Sequence, residues 1–222
     1  MISHIVFPDP RTATTRDGIV GIGGDLQPAT LIAAYRAGIF PWFSEGMPIA
    51  WFCPDERAIL RFRNLHTPRS LARERRRTTF RFTFDQAFPT VITTCARIRR
   101  AGESGTWITG GMMKAYRRLH ELGHAHSVEV WDKDEVVGGL YGVEVDGTFA
   151  GESMFHTRSN ASKFALLHLI EHLQNAGLEW IDVQMMTPHL EALGAELVMR
   201  DEFLDLLAQT QAKDLKLFDA VI

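Results

Sequence analysis

The spacing of apolar residues changes near residue 58. Before it, apolar positions cluster with Gly, Pro and aromatic rings, and one helix stands out. Gln27-Pro28 opens that helix with Pro at a permitted first-turn position, Leu31, Ile32, Ala34 and Tyr35 supply its apolar face, and Gly38 ends it. Ile39-Phe40-Pro41-Trp42-Phe43 is too aromatic and too interrupted by Pro for a central strand, and reads as an ordered loop presenting rings. Gly21-Ile22-Gly23-Gly24 reads as a structural turn rather than a phosphate loop, because no Lys-Ser/Thr follows it and no strand clearly precedes it.

From Ala58 onward the pattern alternates between strand and helix. Ala58 to Phe62 reads as a strand, and Thr67-Pro68 as the N-cap and first residue of a helix running to Arg77. Thr79 to Phe84 predicts a strand, Asp85 the cap of a helix reaching Arg99, and Thr109 the cap of a helix through Leu122 closed by Gly123. His126 to Trp131, Glu135 to Glu144 and Thr148 to Phe155 alternate as strands, with hairpin signals at Asp132-Lys133-Asp134 and Asp146-Gly147. A helix from Asn160 to Asn175, a strand from Trp180 to Gln184, a short helix to Leu193, a strand over Glu196 to Met199 and a helix from Asp201 follow. An antiparallel meander joined to β-α-β predicts an α+β fold: a mixed, largely antiparallel sheet with helices on its faces.

Composition narrows the class. At 222 residues and 45% hydrophobic content the chain can bury one core, or one core with a small appended lobe. No apolar run approaches the roughly 20 residues of a membrane helix, and Met1-Ile2-Ser3-His4 does not begin a secretory signal. Cys53 and Cys95 stand alone, with no CxxC spacing, so a reducing cytoplasm is expected.

Charge changes the picture more. Between Arg57 and Arg100 there are 12 arginines, no lysine and two acids, within a chain of net charge -3. Such a block is either a solvated helix face or a localised polyanion contact, and the planar guanidinium suits phosphate.

Asp182 and Gln184 stand two apart in an expected strand, so both would share one face, with Ile181, Val183 and Met185 on the core side. A carboxylate beside an amide can grip an ammonium or accept a proton; it can equally be a solvated edge. Glu152, in Gly151-Glu152-Ser153-Met154-Phe155, needs a cationic partner if buried, from an arginine of the protein or from a substrate. His168 and His172 have i, i+4 spacing, but no HExxH and no convergent third ligand accompany them, so no metal is expected. No GxSxG elbow exists for a serine nucleophile. Trp42, Trp107, Phe149, Met154 and Leu169 are core residues by default. Trp42 and Trp107 sit in loop-like segments, where rings can close a pocket or stack on a nucleobase for about 1–3 kcal/mol.

Six ordered segments carry a family resemblance: Gly23-Gly24-Asp25-Leu26, Gly38 to Phe43, Gly105-Thr106-Trp107-Ile108-Thr109, Gly138-Gly139-Leu140-Tyr141-Gly142, Gly151 to Phe155 and Ile181-Asp182-Val183-Gln184. Together, from about Phe7 to Leu207, they resemble the bacterial leucyl/phenylalanyl-tRNA–protein transferases. The resemblance implies a small N-terminal lobe (1–60) beside a catalytic domain (61–222) related to the GCN5-type N-acetyltransferases. It implies transfer of Leu or Phe, or Met, from aminoacyl-tRNA to proteins beginning with Lys or Arg, in the N-end rule degradation pathway, by a monomer without cofactor or membrane contact. The matching aminoacyl pocket is Leu140, Phe149, Met154, Leu166 and Leu169, with Trp42 and Trp107 near the terminal adenosine. Glu152, Asp182 and Gln184 match the polar residues at the reacting amine and the acceptor's basic side chain: Asp182 and Gln184 would orient the amine and assist its proton loss, with Asp182 a base or an anchor, and Glu152 would hold or read the acceptor's cationic side chain. Arg69, Arg73, Arg75, Arg76 and Arg77 would then meet the tRNA backbone. Leu169 stands where some relatives carry an aromatic ring, Thr187 where some carry an amide, and Gly110-Gly111 where Pro-Glu is more usual.

Two rivals are weighed against that. An acetyl-CoA-dependent acetyltransferase needs a glycine-bearing pyrophosphate turn, and His156-Thr157-Arg158-Ser159-Asn160-Ala161 has no glycine. A non-catalytic RNA-binding protein would leave Glu152, Asp182 and Gln184 without a task.

Overall fold

Hairpin turns organise the sheet. In the computed structural model, which describes residues 6–13, 15, 17–98 and 106–218, strands β6 (Ala125–Asp132), β7 (Glu135–Val145) and β8 (Thr148–His156) form an antiparallel meander. Asp146 and Gly147 both take positive φ, 50° and 73°, which is the turn geometry that matches the twist of paired strands. Further strands are β1 (Ile19–Ile22), β2 (Phe40–Pro41), β3 (Ala50–Phe52), β4 (Glu56–Arg61), β5 (Arg81–Phe84), β9 (Trp180–Gln184) and β10 (Glu196–Met199). The seven-stranded sheet runs β10-β4-β9-β8-β7-β6-β5, and its pairings are antiparallel except β8 with β9. A three-stranded sheet, β1-β3-β2, precedes it.

Helices α1 (Pro28–Arg36), α2 (Arg69–Arg77), α3 (Phe88–Arg97), α4 (Gly110–Glu121), α5 (Ala161–Asn175), α6 (Pro188–Ala192) and α7 (Arg200–Gln211) cover both faces. One face buries Ile59, Ala150 and Trp180 with Leu31, Val91, Met112 and Phe203, and shares that core with Phe40 and Trp51 of the small sheet. The other buries Leu60, Phe149 and Ile181 with Leu166, Leu169 and Ile170 of α5. Each Leu, Ile, Val, Met or Phe among them contributes about 1.5–3 kcal/mol when removed from water. The fold is therefore α+β with a mixed, largely antiparallel sheet.

Several local expectations change. The tract Phe40–Pro41 is an edge strand, with Phe40 in the core, and Ile19–Ile22 is a strand ahead of the turn at Gly23 and Gly24. Helix α2 starts at Arg69 with no side-chain cap from Thr67. Asp85 does not cap α3: its own φ is 59°, and it accepts from Ser127 N and contacts His126 Nδ1, each at 2.7 Å. The backbone N–H groups of Gln86 and Ala87 go instead to Glu129, whose carboxyl is pushed up by burial. Thr109 does cap α4, accepting from Met112 N at 3.2 Å.

Candidate active site

A split in the sheet makes the site. Strands β8 and β9 pair in parallel at Ala150↔Asp182. Just beyond that pair, each carries one extra residue. Gly142 faces Gly151 and Tyr141 faces Ser153, so Glu152 is the extra residue of a bulge; Ala58 faces Gln184 and Ile59 faces Asp182, so Val183 is another. Bulges bend a strand and re-aim its side chains. Gly151 to Met154 on one strand and Val183 to Gln184, continuing through Met185 and Met186, on the other line a cavity of about 400 Å³. That is within the range of small-molecule sites.

Most of the wall is apolar. Leu140, Met154, Leu166 and Leu169, which the resemblance assigns to an aminoacyl pocket, line it, joined by Phe40, Ile181 and Val183. Phe149 does not line it. Its ring lies beneath the sheet, where a Cβ on Gly142 would stand 2.4 Å from it, and only glycine permits that approach. Trp42 and Trp107 both border the cavity, although 65 residues separate them in the chain. Trp42 is 39% exposed and packs on Phe52 at 5.8 Å. Trp107 is placed by the turn that precedes α4, where Thr109 N donates to its carbonyl at 3.0 Å. Gly105 of that motif lies outside the described residues.

The polar end is built around Glu152, the one carboxylate among the described residues lining the cavity. Its Oε1 accepts from Gln184 Nε2 and from Tyr35 Oη, both at 2.7 Å. Tyr116 Oη bonds in turn to Tyr35 Oη. Burial raises the Glu152 carboxyl to about 7, with Asp182 also raising it, and the bonds from Tyr35 and Gln184 and the charge of Arg57 acting the other way. Burial and the Glu152 charge hold both phenols well above their usual range, so they serve as neutral donors. With its N–H₂ given to Glu152, the Gln184 amide keeps its carbonyl oxygen as an acceptor for an incoming N–H.

Asp182 is placed differently from the expectation that it shares a face with Gln184. Its Oδ1 accepts from Arg57 Nε at 2.8 Å and from Gln184 N at 2.9 Å, and its Oδ2 accepts from Arg57 Nη2 at 2.6 Å. It is buried and absent from the cavity wall. The cause is the backbone: Gln184 has φ of 62°, Met185 N closes a three-residue turn on Val183 O at 2.7 Å, and alternation ends there. Ile181 and Val183 are core, as expected, and line the cavity as well, whereas Met185, expected on the core side with them, is 45% exposed.

The arginine block divides. Arg57 is 1% exposed and serves Asp182; Arg61 pairs with Glu196 and Glu202. Within α2, Arg69, Arg73, Arg76 and Arg77 are exposed, while Arg75 is half-buried and forked onto Glu171. Arg99 and Arg100 lie outside the described residues. His168 stacks on Phe82 and Phe84, and His172 Nε2 bonds to Leu217 O at 2.7 Å, so both are packing residues. Among the described residues no group of three or more His, Cys, Asp or Glu is arranged to hold a metal ion, and no helix is long and apolar enough to cross a membrane.

Tyr35, Tyr116, Phe40, Ile181 and Arg57 are site residues that the pattern of the chain did not single out. Tyr35 reads as one more apolar position on its helix, and Arg57 as one more charge in a basic run.

Residues 59–208 match the profile of a family described as leucyl/phenylalanyl-tRNA protein transferase, and residues 24–55 match that of its N-terminal domain. The chain is similar to the leucyl/phenylalanyl-tRNA–protein transferase of Chromohalobacter salexigens, 54% identical over 207 residues that cover 93% of this chain and 80% of that one. It is 52% identical to the like-named protein of Desulfatibacillum aliphaticivorans over 206 residues, 93% of this chain and 88% of that one. With that of Syntrophobacter fumaroxidans it shares 48% over 209 residues, 94% and 89% of the two chains.

Proposed function

This chain belongs to the leucyl/phenylalanyl-tRNA–protein transferase family, a family of aminoacyltransferases, and from that premise we propose that it moves Leu or Phe from aminoacyl-tRNA to the N-terminal Lys or Arg of acceptor proteins, marking them for N-end rule degradation. The observation that supports this most is one cavity with an apolar wall, two tryptophans at its border and a carboxylate–amide pair at its polar end. In this reading the N-terminal lobe (1–60) contributes Tyr35, Phe40, Trp42 and Arg57, and the larger domain (61–222) the rest.

The aminoacyl side chain would lie against Leu140, Met154, Leu166, Leu169 and Ile181, with the terminal base against Trp42 and Trp107. The acceptor's α-ammonium would donate to the Gln184 carbonyl and to Glu152. An α-amine has a pKa of about 7.7–8.0, close enough to that of Glu152 for proton transfer with little loss. Glu152 takes one proton, the freed amine attacks the ester carbonyl carbon, and a C–N bond forms. The C–O bond to the ribose then breaks, and the second nitrogen proton goes to the departing ribose oxygen. Most of the acceleration is positional, because aminolysis of an activated ester needs a held neutral amine more than a strong base. Asp182 acts as the anchor of Gln184 rather than as the base, since both of its oxygens are engaged.

The test is a transfer assay with labelled Leu-tRNA or Phe-tRNA and peptides beginning with Arg, Lys or Ala. Label on the basic peptides alone supports the proposal. Label taken from acetyl-CoA, or none from either tRNA, rejects it.

A further inference from the structure

Arg57 lies in the protein interior, out of reach of tRNA, yet it touches both halves of the cavity. Its fork fixes the two oxygens of Asp182 on β9, at 2.8 and 2.6 Å. Asp182 in turn holds Gln184 N at 2.9 Å, in the positive-φ turn from which the Gln184 amide reaches Glu152. The flat faces of the guanidinium lie over the Phe40 ring at 4.5 Å and the Phe203 ring at 4.6 Å. Phe40 lines the cavity, and Trp42 follows it by two residues. One planar cation is thus bonded to the strand carrying Gln184 and stacked on the strand leading to Trp42.

We propose that Arg57 is a positioning residue for the transfer reaction: it sets the acceptor side (Gln184 and Glu152) in register with the donor side (Phe40 and Trp42). The proposal rests on the function proposed above. Stability alone is a weak reason for this arrangement. A buried ion pair is often matched or bettered by apolar residues of the same volume, and Arg57 Nη1 is buried without a hydrogen-bond partner. A lysine keeps the charge but has neither the fork nor the flat face.

The experiment compares wild type with Arg57→Lys in steady-state transfer from Phe-tRNA to an Arg-terminated peptide, across pH, with folding followed by circular dichroism. Arg57→Lys should remain folded and lose about 100-fold in kcat, the scale of an ångström misplacement, with KM for the tRNA little changed. A second variant, Arg57→Met, removes a charge that lowers the Glu152 carboxyl, so its acid limb should move to higher pH. The other groups facing Glu152 (Tyr35, Tyr116, Gln184 and Asp182) are retained. A merely structural residue would lower the folded fraction and leave kcat per folded molecule unchanged. Full kcat in folded Arg57→Lys, or a loss that only tracks unfolding, overturns the inference. Should both variants fail to fold, Phe203→Leu loosens the stacking and keeps the ion pair: a folded protein with unchanged kcat then rejects it, and a clear kcat loss supports it. Inactive wild type would instead reject the proposed function, which separates the two failures.

Discussion

Gln184 Nε2 donates to Glu152 Oε1 at 2.7 Å, bridging two strands that pair at Ala150↔Asp182 and then part around the cavity. The bond uses one N–H of the amide and leaves its carbonyl to accept, while the carboxylate sits where burial holds its proton affinity near neutrality.

The first consequence is kinetic. With Glu152 as proton acceptor at about 7, kcat/KM should rise with pH along an acid limb centred near that value. Glu152→Gln should replace that limb with one set by the acceptor amine, at about 7.7–8.0, and lower the plateau by about 10²–10⁴-fold, the usual worth of a positioned base. A pH–rate series on both proteins measures it. A Glu152→Gln variant that keeps its limb would assign the titration elsewhere.

The second concerns stability. A carboxyl whose folded value lies above its unfolded value binds its proton more tightly in the native state, so native stability falls as pH rises from about 4.5 to about 7 and is level beyond. Glu152→Gln removes that loss. The variant should match wild type near pH 4, apart from a constant offset, and gain about 1–3 kcal/mol on it by pH 8, the lower end reflecting screening from the cavity side. Urea unfolding at both pH values decides this, and a gain of equal size at both would contradict it.

Leu169 lines the cavity, and a larger ring there reduces its depth. Leu169→Phe should shift the kcat/KM ratio toward Leu-tRNA over Phe-tRNA by about 10-fold, the scale of a methylene-sized change in an apolar pocket. Phe149→Leu, buried outside the wall, should leave that ratio unchanged and lower stability by about 1 kcal/mol or more. Competition assays with the two charged tRNAs give both results.

Arg69, Arg73, Arg76 and Arg77 are exposed on α2, whereas Arg75 is committed to Glu171. If those four meet phosphate, replacing them with Gln should reduce the slope of log affinity against log salt by about 3. Arg75→Gln alone should change the slope less than any one of the exposed four. Filter binding over a salt series provides the slopes, and an unaltered slope in the fourfold variant removes α2 from the tRNA contact.

Much of the fold could be read from the chain because its signals are local. Asp146-Gly147 marked a hairpin, Thr109 a cap, and the alternation from His126 to Phe155 three strands of the meander. What could not be read depends on two bulges. Period-two alternation places Asp182 and Gln184 on one face, but the extra residue at Val183 and the positive φ of Gln184 turn them apart. The bulge at Glu152 likewise brings Phe149 and Met154, five apart in sequence, to the same side of the sheet, one buried and the other on the wall. Arg57 read as one charge in a basic run, because a buried partner 125 residues away leaves no local trace.

Single-turnover transfer from Phe-tRNA at pH 8, to peptides that differ only in beginning with Arg or Ala, tests the central claim most directly when wild type and Glu152→Gln are run side by side. Fast transfer to the Arg peptide and little to the Ala peptide are expected of wild type, with loss of the rate to the Arg peptide in the variant. Transfer to the Arg peptide by Glu152→Gln at the wild-type rate would contradict the role of Glu152 as proton acceptor.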